Sequence, residues 1–106
     1  MNKKIFGYAR ISTQKESQTH DRQIKTLEDY AIDNNFKFDD IVQERISGTV
    51  KTDKRPLYLE LKGKLRTGDI LVVTDIDRLG RDADNVIMEF KELKLEGVKV
   101  IALDTP

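Results

Sequence analysis

A tyrosine, an arginine and a serine stand at alternate positions in Tyr8-Ala9-Arg10-Ile11-Ser12, closing an apolar run that begins at Ile5. A period of two sends all three side chains to one face of a strand. The carboxyl end of a central strand is where open α/β sheets build their sites. A second concentration of charge lies in Asp77-Arg78-Leu79-Gly80-Arg81-Asp82, and Arg45, Ser47 and Arg55 stand between the two. In a parallel sheet the loops after each strand open at one edge. Ser12, Arg45, Ser47, Asp77, Arg78 and Arg81 then gather there, and Arg55, opening a helix, can reach the same region. Arginine offers a planar fork of donors that matches phosphate and stays charged at any working pH. The Ser12 hydroxyl among as many as five arginines suits a phosphodiester whose transition state gathers negative charge. The chemistry suggested is attack by a serine hydroxyl on phosphorus, with arginines doing the work a metal does in nucleases.

Each residue also has a plainer reading. Asp77-Arg78 and Arg81-Asp82 can be surface ion pairs, which are worth little. Arg45 can pair with Glu44 or Asp40 at an exposed edge, and Arg55 can be a solvated residue before a proline. It is their convergence on one sheet edge that argues for a site.

The elements that must position these groups are legible in the apolar pattern. A strand from Ile5 leads to a polar loop over 13–18, in which Ser17 can cap a helix running to about Asp33. Ile24, Leu27, Ala31 and Ile32 are its inward residues, and Asn34-Asn35 supplies a left-handed stop. A second strand covers 41–44. Arg55-Pro56 opens a second helix, proline suiting the first helical position, with Leu57, Leu61 and Leu65 as its buried stripe. Ile70 to Thr74 is a continuous apolar run of strand length, expected at the centre of a parallel sheet. A third helix over 83–96 turns Val86, Ile87, Phe90 and Leu93 inward and ends at Gly97, and Val98 to Leu103 is a fourth strand. The order β-α-β-α-β-α-β predicts a three-layer α/β/α domain. Right-handed crossovers, a mainly parallel sheet of about four strands and helices on both faces follow.

With 106 residues there is room for one domain and one core. Net charge is zero although charged residues make up 36% of the chain. A domain that held DNA tightly by itself would show a basic excess, so the main affinity element of any DNA-binding system is expected elsewhere. The absence of cysteine removes a thiolate nucleophile and a Cys-based zinc site. The single histidine, His20, on the expected exposed face of the first helix, argues against a Ser-His-Asp triad or a His-rich metal site. No apolar run approaches membrane-spanning length, and no signal peptide is evident. A cytoplasmic protein is expected.

These residues resemble the serine recombinases of the resolvase/invertase type. Tyr8-Ala-Arg10-Ile-Ser12-Thr resembles the family's nucleophile motif, and Asp77-Arg78-Leu-Gly-Arg81-Asp its second signature almost letter for letter. Gln23 stands where the family has a glutamine, after a loop slightly long beside its shortest members. Glu44-Arg45-Ile-Ser47-Gly48 and Arg55-Pro56 fit two weaker intermediate motifs. The match covers the whole chain. It implies a resolvase-like fold in which Ser12 is the nucleophile that joins a DNA 5′-phosphate and releases a 3′-hydroxyl. Arg10, Arg78 and Arg81 bind the scissile phosphate, Arg45 and Arg55 assist at its edge, and Asp77 orients the arginines. Tyr8, Gln23 and Ser47 support the pocket. The resemblance implies no metal and no cofactor, because the phosphoserine bond conserves the energy needed to reseal. It implies double-stranded DNA at a specific site as partner, a homodimer, and a tetramer in the synapse, without a membrane. The family continues into a dimerisation helix and a DNA-reading module. Asp104-Thr105-Pro106 reads as a cap and a proline opening that helix, so residues 1–106 are expected to be a truncated catalytic domain, although a surface turn at a natural terminus has the same pattern. A further small strand, usual in the family sheet, is not evident.

Other readings are a phosphate- or nucleotide-sensing α/β domain without covalent chemistry, and an idle relative kept for dimer contacts. The set Arg10, Ser12, Arg78 and Arg81 argues against the second. Resolution, inversion, integration and transposition are not distinguished by these residues, nor is the group that takes the serine proton.

Overall fold

The computed structural model describes residues 3–11, 17–46, 50–74 and 83–103. Its elements are β1 (Ile5–Ile11), α1 (Ser17–Asp33), β2 (Asp40–Arg45), a short 3-10 turn (Thr52–Lys54), α2 (Pro56–Lys64), β3 (Ile70–Val73), α3 (Ala83–Leu95) and β4 (Lys99–Ala102). The strands form one parallel sheet in the order β2-β1-β3-β4. β1 and β3 are central, as their apolar runs predict. The three-layer arrangement expected from the element order is what the chain adopts.

Alternation along β1 divides the core. Phe6 and Tyr8 face α2 and α3, joining Tyr58, Leu61, Leu65, Leu71, Val73, Val86, Leu93 and Val98. Ala9 faces α1 with Leu27 and Val72, flanked by Ile24, Phe38 and Ile41. Gly7 lies on this second face because α1 and β2 press close. A Cβ there would stand 3.3 Å from Ile41 Cγ1 and Phe38 Cε1 and 3.4 Å from a Leu27 methyl.

Helix ends account for how the chain returns to the sheet. Asn35 adopts φ 58° and its N–H donates to the Ile32 carbonyl, while Phe36 N–H donates to Ala31. That pair is a Schellman stop, and α3 ends the same way, with Gly97 at φ 82° donating to Lys94 and Val98 to Leu93. Val98 and Leu93 share one apolar cluster, so the second stop also feeds the core. At the amino edge of the sheet, buried Asp69 accepts from Lys4 N–H at 3.0 Å and Arg66 N–H at 2.9 Å. One carboxylate thereby ties the start of β1 to the α2–β3 turn.

Three expected inward residues lie outside the core. Ile32, Leu57 and Ile87 are 71%, 42% and 50% exposed. Ile32 falls about 100° round from Ala31, off the 24/27/31 stripe. In α2 the inward residues are Tyr58 and Leu61, and Leu65 is buried just past its end. In α3, Val86 and Leu93 are buried, Phe90 is half-buried, and buried Glu89 lies between them.

Candidate active site

β1 runs up the middle of the sheet and leads directly into Ser12. Tyr8 and Arg10, its last two described residues on the α2 face, are buried. Parallel register places Arg10 beside Glu44 and Tyr8 beside Val42 and Val73. Glu44 therefore shares the face of Tyr8 and Arg10, and it too is buried.

Glu44 is the hub. Its Oε1 accepts the Tyr8 hydroxyl at 2.8 Å and the Tyr58 backbone N–H at 3.1 Å, while Oε2 accepts Leu57 N–H at 2.9 Å. The last two are orphan donors in the first turn of α2. Arg55 occupies the N-cap position with extended backbone and makes no side-chain cap. Glu44 reaches across from β2 and caps the helix in its place, where an anion also complements the helix dipole.

Arg55, whose guanidinium has no acceptor to offer the helix end, turns into the protein and is fully buried. Its Nε donates to the Val50 carbonyl at 2.9 Å and its Nη1 to the Tyr8 hydroxyl oxygen at 3.4 Å. Arg10 Nη1 donates to the Ile46 carbonyl at 2.9 Å. From α1, buried Gln23 donates through Nε2 to the Arg10 carbonyl at 3.0 Å, fixing the strand end from the other side of the sheet. Two guanidiniums and one carboxylate thus meet at the carboxyl end of the central strand.

The structure brings together Tyr8, Arg10, Gln23 and Arg55 among the residues singled out from sequence. Arg45 is not brought to them: it pairs in register with Ile11, on the opposite sheet face from Glu44, and is exposed. Ser12, Ser47, Asp77, Arg78 and Arg81 lie outside the described residues. Glu44 was not singled out as a site residue. Its signal was available: if Val42 faces α2, Glu44 two residues later does so as well.

Burial pushes the Tyr8 phenol up; the Arg55 charge offsets part of this, and the hydrogen bond to Glu44 adds to it. Tyr8 is a neutral donor across the working pH range and cannot serve as a base. Tyr58 is pushed up too, by burial and then by the neighbouring Glu89 charge. A phenol whose folded value lies above its unfolded one keeps a proton that the unfolded chain sheds above about pH 10. The stability it contributes is complete below that pH and is lost as pH rises. Urea unfolding from pH 9 to about 11.5 should show the parent losing stability more steeply than Tyr8→Phe. Equal slopes would show that the fold does not hold this proton.

The family model for the resolvase N-terminal domain matches residues 5–106. The chain belongs to the resolvase N-terminal domain family. The Escherichia coli transposon Tn3 resolvase is 41% identical over 101 residues, which cover 95% of this chain and 50% of that protein. Serine recombinase PinR of Escherichia coli K12 is 36% identical over 100 residues, 94% of this chain and 49% of that one. The chain spans about half the length of the curated relatives it matches. Among solved structures, the N-terminal catalytic domain of TP901-1 integrase superposes with a TM-score of 0.77 at 25% identity. The match covers 96% of this chain and 78% of that one. The C-terminal catalytic domain of IS1535 TnpA, an IS607-like serine recombinase, gives 0.78 at 26%, covering 92% and 69%. The resolvase resemblance read from the two motifs is thus borne out as to family and fold. Among the described residues no helix is long and apolar enough to cross a membrane.

Proposed function

We propose that this chain is the catalytic domain of a site-specific DNA recombinase that cuts and rejoins strands through Ser12. The observation that carries the reading is the burial of Arg10 and Arg55 at the end of the strand leading into that serine. Desolvating two cations costs several kcal/mol each, a cost that a purely structural strand end has no reason to bear. Membership of the resolvase family, with relatives called resolvase and serine recombinase, supports it.

In the first step Ser12 Oγ attacks a DNA phosphorus. The P–Oγ bond forms as the P–O3′ bond breaks, giving a 5′-phosphoserine and a 3′-hydroxyl. The serine proton leaves to a substrate oxygen, and the departing O3′ takes one up. Arg10, with Arg78 and Arg81, binds the non-bridging oxygens and stabilises the pentacoordinate transition state. Asp77 orients these arginines, and Arg55, buried beside Tyr8, assists at the edge of the phosphate through its charge. Tyr8, Gln23 and Ser47 support the pocket, and exposed Arg45 meets a flanking phosphate. One phosphoester replaces another, so religation by a 3′-hydroxyl needs neither ATP nor a metal. The partner is a specific duplex site, engaged by a homodimer and exchanged in a tetrameric synapse.

The test uses the full-length protein and a duplex that it selects from random sequence. Incubation in EDTA followed by denaturation should give a protein–DNA species whose modification maps to Ser12, in a yield that magnesium does not change. A strict metal requirement, or cut DNA bearing a free 5′-phosphate without an adduct, would replace this reading with a nuclease-type site.

A further inference from the structure

A polar bridge joins α2 to α3 beside the groups just described. Tyr58 is fully buried in an apolar cluster with Phe6, Leu61, Leu71, Val86 and Leu93. Its hydroxyl donates to Oε2 of Glu89 on α3, itself buried. Lys62 Nζ lies 3.0 Å from that same oxygen and 2.7 Å from Glu92 Oε2. Stability alone does not select such a bridge, because a well-packed apolar pair in place of buried polar partners is commonly neutral or stabilising.

What the bridge supplies is a fixed ring. The Tyr58 ring meets the Tyr8 ring edge-on, with centroids 5.4 Å apart and planes at 71°. Tyr58 N–H and the Tyr8 hydroxyl share Glu44 Oε1, and Arg55 Nη1 donates to the Tyr8 oxygen. Contacts therefore run unbroken from Glu89 through Tyr58 and Tyr8 to the Arg55 guanidinium. The Tyr8–Arg55 bond, at 3.4 Å, is long enough that a small further shift of Tyr8 would break it.

We propose that Tyr58 and Glu89 are positioning residues for strand cleavage, their hydrogen bond locking the ring against which Tyr8 holds Arg55. The inference rests on the recombinase reading given above. Neither residue touches DNA; Glu89 acts through Tyr58, and Tyr58 through Tyr8.

The test measures single-turnover adduct formation, DNA affinity and melting temperature for the full-length protein on its selected duplex. Tyr58→Phe removes one oxygen and fills the same space, so it folds even where Glu89→Leu does not. Both should slow adduct formation about five- to tenfold with affinity within about twofold, whereas Glu89→Gln, which keeps an acceptor, stays within about twofold of the parent. In a Tyr8→Phe background Tyr58→Phe should cost less than about twofold more in rate, as expected of two residues coupled in one network. Folded Tyr58→Phe cleaving at the parental rate would overturn the positioning role. An undiminished effect in the Tyr8→Phe background would do so too, since the path through Tyr8 would be absent. If the parent itself forms no adduct, the recombinase reading fails, and the positioning role falls with it; a cleaving parent with indifferent variants strikes the positioning role alone.

Discussion

Ser12→Ala abolishes the covalent protein–DNA species, lowering strand cleavage by at least roughly 10⁴-fold, while DNA-site affinity stays within about twofold. Ser12 follows the last residue of β1, the strand that carries Tyr8 and Arg10 on its buried α2 face. Cysteine is absent from the chain, and Tyr8 holds its proton too firmly to act as a nucleophile. Affinity for DNA tracks neutralised phosphates, and removing a neutral hydroxyl changes no charge. The prediction therefore separates chemistry from binding. It is checked on a denaturing gel with end-labelled duplex beside a mobility shift under native conditions. An adduct persisting in Ser12→Ala places the nucleophile elsewhere and removes the ground for the assignment.

Much of the architecture was legible because it depends on period and punctuation. Continuous apolar runs at Ile5 and Ile70 marked the two central strands, and Asn35 and Gly97 marked helix stops that need positive φ. What failed was one position in each of α2 and α3, Leu57 and Ile87. Leucines at 57, 61 and 65 make a tidy stripe, but spacings of four drift round the helix by about 40° per step. The sequence pattern cannot see that Glu44, on another strand, pins the N–H groups of Leu57 and Tyr58. That cap sets the phase, and Tyr58 faces the core in place of Leu57.

The site was legible to the same extent. Tyr8 and Arg10 share a face because strand alternation is local. Arg45 was grouped with them as a loop residue after a strand ending at 44, but it is the last residue of β2, where alternation sends it to the opposite face, and Glu44 occupies the position beside Arg10. Loop order identifies which sheet edge a residue reaches, whereas parity along the strand decides its face. Backbone carbonyls of Ile46 and Val50 and the Tyr8 hydroxyl receive the buried guanidiniums, with the Glu44 carboxylate one hydrogen bond further on.

Glu44→Ala should cost about 3–5 kcal/mol of folding stability, since three donors lose their acceptor together. That is a large share of the stability of a domain this size and should lower the melting temperature by more than about 10 °C. The substitution leaves the Tyr8 hydroxyl without its acceptor and uncaps Leu57 and Tyr58 at the start of α2. It also removes the carboxylate to which the Tyr8 hydroxyl links Arg55. Each unsatisfied buried donor alone costs about 1–3 kcal/mol. Glu44→Gln separates these contributions. Its amide oxygen can replace Oε1 for Tyr8 and Tyr58, but its NH2 group then opposes Leu57 N–H, and the negative charge at the helix terminus is gone. About 1–2 kcal/mol should be lost. Cleavage by the folded fraction should still fall more than tenfold, since Tyr8 and Arg55 lose the charge that holds them in place. Urea unfolding and single-turnover cleavage on the same preparations decide the matter. A Glu44→Ala protein that unfolds at the parental urea concentration would show that α2 and Tyr8 are anchored by other contacts, and Glu44 would no longer be the hub of the site.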